Sequence, residues 1–479
     1  MSADSGVRGA FERICSIEER HDLLRYEADG WAVWPLLRPG IARSISAPGL
    51  ASVGGMSRSR RWRFLARDLV RLVRPRQAEV LAMTYTSGLG EREGDRFKDQ
   101  WFDDLLRQTP SFYKIEGINN PAFLHRSARA LFPSDLTPLL LQRIAYSRAR
   151  PKSSARGGPR LEGLVSALRE ELGNSDARDD HIRATAAEFV ELKRLYGWLL
   201  DRVRPRVVLV ADYGEYSLIA AARERGIATV ELQHGINDRY HPAYSWTGYA
   251  TPHRARMPVA DRQFLYGEHW RREMGGGDFW GDSLRVVGSP RIDGYRGARA
   301  GGDRDGSLTL TFTAQGLGSE SSLAFVADAL SALHAEREIR LFVKPHPTYD
   351  QEYEGWWDIF GRDPRVRIVP PSEAPSTFEL LARSDVHLSV ASATHYDALG
   401  LGVPTIVLPM KHHNVVEGLL DAGHAQLANI PSELANLIET TAGKRVPPEV
   451  SHYYHAPGAV RNMLGELNLP CPEAAGGDI

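Results

Sequence analysis

Cysteine is almost missing from this chain. Cys15 and Cys471, one near each end of 479 residues, are its two thiols. They are too few for a disulfide framework or a cysteine metal cluster, and their scarcity fits a reducing compartment. Charge of one sign is missing too: 59 Lys and Arg stand against 60 Asp and Glu, so no overall field recruits nucleic acid and no nucleic-acid partner is expected. No apolar run reaches the length of a membrane-spanning helix, and the N-terminus lacks a signal-peptide pattern, which makes a cytoplasmic location the simplest expectation. Several catalytic signatures are absent. The sequence has no His-Glu metal helix, no phosphate loop ending in Gly-Lys-Ser/Thr and no Gly-x-Ser-x-Gly elbow. Gly316 and Gly318 alone do not make a dinucleotide fingerprint. Asp303, Arg304 and Asp305 have the carboxylate spacing of a metal-nucleotide site but fall in a flexible linker. Metal dependence, hydride transfer and serine hydrolysis are therefore not expected, and no cofactor is implied.

What is present is the composition of a globular protein, 42% hydrophobic and 25% charged, in a chain long enough for two domains plus appendages. The most informative stretch is 384–409, SDVHLSVASATHYDALGLGVPTIVLP. It reads as strand, tight turn, short helix closed by Gly400 and Gly402, and second strand, a βαβ unit with almost no slack. Free amides at the start of the helix, with the Ser392 and Thr394 hydroxyls, suit a phosphate, and Asp397 lies one turn further on, where a carboxylate can meet ribose hydroxyls. An ordinary βαβ turn that binds nothing has the same pattern.

Taken in order, residues 1–78 form an extension, whose first 55 or so residues hold one helical candidate at 17–27 and packing aromatics Trp31 and Trp34. Between Met56 and Arg76 stand eight arginines and one acid, Asp68. On a helix, Trp62, Leu65, Leu69, Leu72 and Val73 share a face that suits an anionic membrane surface or, alternatively, packing on the helix's own domain. An α/β series follows over 79–293, with strands at 79–85 (EVLAMTY), 206–211 (RVVLVA) and 228–232 (ATVEL), interrupted by an exposed basic loop at 143–163. Residues 294–306 are the linker, 307–445 form a second α/β series, and 446–479 are a tail with a helix at 459–467. No internal repeat is found.

The candidate chemistry sits at strand ends. Asp212 and Glu215 follow one strand and His234 the next, on the edge where α/β sheets put their ligands. The acids are candidate bases for an acceptor hydroxyl, in a stretch that also reads as a plain helix start. His234 suits a base, a phosphate ligand or a satisfied core histidine. His346, between two prolines, and Lys344 two residues earlier suit a donor pyrophosphate whose leaving group gathers charge. His241 reads as structural.

In combination, Gln233-His234-Gly235 after a strand, Gly288-Ser-Pro-Arg-Ile-Asp293 before the linker, Lys344-Pro-His-Pro347, and Ser389-x-x-Ser392-x-Thr394 with Asp397 and then Gly402-x-Pro404 resemble the bacterial surface-polysaccharide transferases of the GT-B fold. The CDP-glycerol glycerophosphotransferase-like and capsule polysaccharide groups are nearest. The resemblance covers about 206–409. It implies an α/β fold of two Rossmann-like domains facing a cleft, acceptor on the first and donor on the second. It further implies metal-independent transfer from a CMP- or CDP-activated donor to a glycan or lipid-linked acceptor at the inner face of the cytoplasmic membrane. His346, Lys344, Ser392 and Thr394 would meet the donor phosphates, with Gly316 in the adjoining turn, and Asp397 the ribose. His234 or an acid of 212–215 would serve the acceptor. Many members carry glutamate where this chain has Asp397. A UDP-sugar transferase, a non-hydrolysing sugar-nucleotide epimerase and a non-catalytic glycan-binding or assembly subunit remain alternatives.

Overall fold

A computed structural model of the chain describes residues 7–46, 57–86, 91–153, 161–173, 179–297 and 306–469, apart from 317, 334–336, 348, 351 and 372. Helix α1 (Val7–His21), strands β1 (Glu27–Ala28) and β2 (Trp31–Ala32), and helices α2 (Trp34–Ser46) and α3 (Arg58–Val73) precede the first large sheet. The helix expected at 17–27 instead begins at Val7 and stops at His21, because Asp22 takes a left-handed φ of 47° and turns the chain. Burial of Ala10, Ile14 and Ile17 explains the earlier start. Trp31 and Trp34 are buried. The Trp34 indole donates 2.6 Å to Glu18, whose carboxylate also pairs with the buried Arg38. Arg38 in turn donates to the Ser245 carbonyl at 2.9 Å, which ties the extension to the 238–250 loop. A buried pair of this kind stabilises because each charge is paired and hydrogen-bonded.

The first sheet contains β3 (Val80–Tyr85), β6 (Phe112–Gly117), β7 (Val207–Val210), β8 (Ala228–Leu232), β9 (Arg262–Leu265) and β10 (Leu284–Val286); a hairpin, β4 (Glu91–Glu93) with β5 (Arg96–Lys98), covers one end. All of its pairings are parallel, in the order β10-β9-β8-β7-β3-β6. The second holds β11 (Leu308–Thr313), β12 (Ile339–Lys344), β13 (Val366–Ile368), β14 (Val386–Ser389), β15 (Thr405–Val407) and β16 (Gln426–Leu427), again parallel, in the order β13-β12-β11-β14-β15-β16. The apolar run β7 (VVLV) and β11, where Leu and Phe alternate with Thr, are buried along their whole length, as central parallel strands covered by helices on both faces must be. Each sheet reverses its winding once: between β3 and β7 in the first, and between β11 and β14 in the second. Crevices open beyond the carboxyl ends of strands at such switch points.

One expectation is corrected. The stretch 143–163 is not a loop at its start, since Leu139–Ser153 is a helix packed along Asp179–Val203; Leu141, Ala145 and Ala149 supply the buried face at helical spacing. Of the 294–306 linker, 298–305 lie outside the described residues, and with them Asp303, Arg304 and Asp305; Cys471 lies outside them as well.

The tail crosses back. Helix Pro448–Tyr454 packs on both Thr394–Gly400 and Glu268–Met274, and helix Ala459–Leu467 reaches Pro290–Tyr295. Ala456 N donates 2.7 Å to the Tyr266 carbonyl and Ala459 N 2.6 Å to Asp293. The approach is close enough that a Cβ on Gly288 would stand 2.2 Å from the Ala456 carbonyl oxygen, and one on Gly400 2.5 Å from the His455 ring. The Gly288 that sequence reading took as part of a strand-end motif is thus a seat for the tail.

Candidate active site

The carboxyl ends of β3 and β7 bring Tyr85 and Glu215 together across the first switch point, where the Tyr85 hydroxyl donates to Glu215 Oε1. Burial pushes the Glu215 carboxyl up to about 7, with Asp212 adding repulsion and the Tyr85 bond opposing both. Asp212 Oδ1 accepts from Gly214 N at 2.9 Å and so shapes the turn. Tyr85 also lines a half-open cleft with Thr86, Asp99, Gln100, Glu116 and Arg126. Sequence reading missed Tyr85, although its position at the end of the first strand marked that edge.

His234 lies at the end of β8 in an aromatic cluster with Tyr213, His241 and Tyr244, ring centroids 4.6–6.3 Å apart. Burial lowers its basicity, against the attraction of Asp212. The Tyr244 hydroxyl stands 3.4 Å from His234 Nδ1 and donates to Glu231 Oε1. His241, expected to be structural, packs against Tyr244 in this cluster, and burial lowers it to about 3. Glu231 was not anticipated, since its side chain lies within β8. It is buried, accepts from Gln263 Nε2 at 3.1 Å, and burial raises it to about 8.

A group whose folded pKa is raised binds more protons folded than unfolded. Its favourable contribution is complete below the unfolded value of about 4.5 and is lost as pH rises through the folded one. The stability difference between wild type and Glu231→Gln is therefore expected to fall from about pH 4.5 to about pH 8. Urea unfolding of both proteins across that range checks the slope; a difference that stays constant with pH contradicts it.

At the second switch point, Gln315 Oε1 accepts from Ala391 N at 2.7 Å and Thr313 Oγ1 meets Thr394 Oγ1 at 2.9 Å. Ser392 Oγ accepts from Thr394 N at 3.2 Å. Behind Thr394 a chain of bonds enters the core: Thr313 Oγ1 to His387 Nε2 at 2.9 Å, His387 Nδ1 to Thr405 Oγ1 at 2.9 Å, and Thr405 Oγ1 to His395 Nδ1 at 2.5 Å. Burial keeps both imidazoles neutral, so the chain fixes hydroxyl orientations rather than carrying charge.

His346 follows β12. Its Nδ1 accepts from Tyr349 N at 3.2 Å, which leaves the proton of the neutral ring on Nε2, and Tyr349 stacks on the ring at 4.6 Å. Asp350 joins His346 to Gly316: its Oδ2 accepts from His346 N at 2.8 Å and Gly316 N at 3.1 Å, and its Oδ1 from Ser319 Oγ at 2.8 Å. Gly316 has φ +79°, and a Cβ there would stand 2.1 Å from that of Tyr349, so glycine serves the fold of this turn. Asp350→Ala removes the two oxygens that accept these three bonds. It is expected to loosen 314–319 and 346–350 while leaving the first sheet intact, read by hydrogen exchange confined to those segments; protection unchanged there contradicts the assignment.

Two expected contacts are not presented to the crevice. Lys344 is buried, and its ammonium donates to the carbonyls of Pro370, Glu373 and Pro375 at 2.8–3.1 Å, so its charge is committed to that loop. Burial and the Arg126 guanidinium, which faces it from the first half, lower it to about 8. Asp397 lies on the inner side of its helix, enclosed by the tail. His455 Nε2 stands 3.6 Å from its carboxyl, and burial raises it to about 6 against the pull of Arg291. Arg291, of the Gly288–Asp293 motif, bonds Gln100 Oε1 at 2.8 Å and lies 3.8 Å from the Phe378 ring centroid, bridging the two halves.

Among the described residues no cluster of His, Cys, Asp or Glu has the grouping of a metal site, and no helix is long and apolar enough to cross a membrane. A scan against protein-family models gives no match, and a search of curated proteins finds none similar. Solved structures do align. The UDP-GlcNAc 2-epimerase of Neisseria meningitidis bound to UDP-GlcNAc aligns at 14% identity over 81% of this chain and 99% of that one, TM-score 0.48. The glycotransferase of kitacinnamycin aligns at 14% over 83% and 100%, TM-score 0.46, and Acinetobacter baumannii MurG at 15% over 81% and 99%, TM-score 0.45. Such identities bear on fold alone. The strands themselves show an α/β protein with two parallel six-stranded Rossmann-like sheets, the fold class expected from the sequence.

Proposed function

We propose that this chain is a GT-B-like, metal-independent transferase that moves a sugar or polyol-phosphate from a CMP- or CDP-activated donor to a hydroxyl of a glycan or lipid-linked acceptor. The observation that carries the reading is the Tyr85–Glu215 pair: a carboxyl lifted to about 7 at the switch point of the first sheet, bonded to a tyrosine that lines a cleft. A base serves best when its pKa lies near the working pH. In the reaction the acceptor oxygen forms the new bond as its proton passes to the Glu215 carboxylate, and the bond to the nucleotide phosphate breaks with its electron pair on the phosphate oxygen. His346 Nε2–H and the Ser392 and Thr394 hydroxyls offer hydrogen bonds to that developing charge. Lys344 supports the site by holding the 370–375 loop, and Asp397 is assigned to the contact with the tail rather than to a ribose. Asp212 shapes the turn, and His234 completes the acceptor side.

The test is nucleotide release from CMP-, CDP- and UDP-activated donors, with and without a membrane-lipid extract as acceptor source. Acceptor-dependent release of CMP or CDP supports the proposal. Conversion of the donor to an epimeric sugar nucleotide without acceptor and without net nucleotide release points to an epimerase, and release confined to UDP donors to a UDP-sugar transferase.

A further inference from the structure

Helix α3 is mounted with its apolar arc outward. At 100° per residue, Trp62, Leu69 and Val73 lie within about 40° of one another, with Ala66 and Val70 extending the same arc. These large side chains are 60–75% exposed: Trp62 71%, Leu69 60%, Val70 73% and Val73 75%. The opposite arc holds the helix to its domain. Asp68, the single acid of the helix, is fully buried and accepts from Thr137 N at 3.1 Å and from the Thr137 hydroxyl; Arg71 donates to the Ser134 carbonyl, and Leu72 packs with Leu136 and Leu141. Surface helices ordinarily bury their apolar arc. Here the acid is inside, and Trp62 with two valines and a leucine is outside.

Charge decides what the arc can meet. Arg63 and Arg74 border it on one side, both exposed, with no acid on the outer face. A second copy of this chain would set arginine against arginine. A nucleic acid would satisfy the guanidinium groups and leave the apolar arc against polar phosphate. A bilayer with anionic headgroups offers an apolar layer and negative charge in parallel planes, matching an apolar arc edged with arginine.

We propose that α3 is a docking surface for an anionic phospholipid bilayer, its Trp62-Leu69-Val70-Val73 arc seated at the headgroup and acyl boundary and Arg63 and Arg74 at the headgroups. The inference deepens the lipid-linked acceptor in the function proposed above, and its geometry stands apart from the nucleotide site.

The test is co-sedimentation of the full chain with phosphatidylcholine vesicles and with vesicles containing phosphatidylglycerol. Binding to the anionic vesicles is expected, weakened by salt, and lowered on the order of tenfold or more by Arg63→Glu/Arg74→Glu or by Leu69→Glu/Val70→Glu. Because these side chains face solvent, both variants should keep the wild-type melting temperature and nucleotide response, so loss of docking is separable from failure of the transferase reading. Equal binding to neutral vesicles, no vesicle binding, or dimerisation that the Leu69→Glu/Val70→Glu variant abolishes would each overturn the proposal, the last in favour of a second copy.

Discussion

Glu215→Gln is expected to lower the turnover number about 10²–10⁴-fold, the span that positioned proton transfer contributes, and to leave nucleotide affinity unchanged. The variant keeps the shape of the site. A glutamine Oε1 still accepts from the Tyr85 hydroxyl, as Glu215 Oε1 does now, so the loss is of proton affinity rather than of structure. Because the base acts in its ionised form and its pKa is raised to about 7, the wild-type rate should climb as pH rises through about 7, and that limb should disappear in the variant. Full activity in Glu215→Gln, or a surviving acidic limb with the same midpoint, would assign the proton to another group. Tyr85→Phe provides an intermediate case: it removes the bond that opposes the upward shift, so the limb should move to higher pH.

The largest stability effect is expected at Gly288. Its φ of +98° is one that side-chain-bearing residues rarely adopt, and an added Cβ would stand 2.2 Å from the Ala456 carbonyl oxygen and 3.1 Å from the Ala459 Cβ. Overpacking costs about 1–3 kcal/mol and forced positive φ about 1–2 kcal/mol. Since the obstruction is backbone, relief requires moving the tail off the first sheet. Gly288→Ala should therefore melt earlier and expose 446–458 to limited proteolysis before either sheet is cut. Gly418→Ala is the control: that glycine has open space around its Cβ position and no positive φ, so alanine there should be neutral or mildly stabilising. A Gly288→Ala protein as stable and as protease-resistant as wild type would mean the tail is not seated as described.

The first sheet was legible in the sequence because a parallel strand buried on both faces writes itself as a continuous apolar run, as at 207–210, whereas 308–313 alternates Leu and Phe with buried Thr. Strand ends then placed Asp212, Glu215, His234, His346, Ser392 and Thr394 on the correct edges without any knowledge of strand order. What escaped reading was long-range. Tyr85 meets Glu215 across 130 residues, and Asp397 meets His455 across the tail; neither partner carries a local pattern. Lys344 looked presented because prolines follow it. Its ammonium instead turns back to three carbonyls of a loop 26–31 residues away. The Leu139–Ser153 helix was hidden by its many arginines, whose aliphatic stems sit readily on helix surfaces. The face expected on α3 is split: Trp62, Leu69 and Val73 point outward, but Leu72 packs on the domain with Leu136 and Leu141, beside the Asp68–Thr137 contact that sets the helix's orientation.

On the function proposed here, a nucleotide-activated donor is expected beyond the carboxyl ends of the second sheet's strands, at His346, Ser392 and Thr394. Thermal unfolding of the purified protein with CMP, CDP, UDP, GDP and ADP tests it most directly, with His346→Ala alongside, because a ligand that binds the folded state alone raises its apparent stability. Stabilisation by CMP or CDP, absent with the purine nucleotides and lost in His346→Ala, is the predicted result. No shift with any nucleotide, or a shift that His346→Ala leaves intact, would contradict the donor site at His346, Ser392 and Thr394.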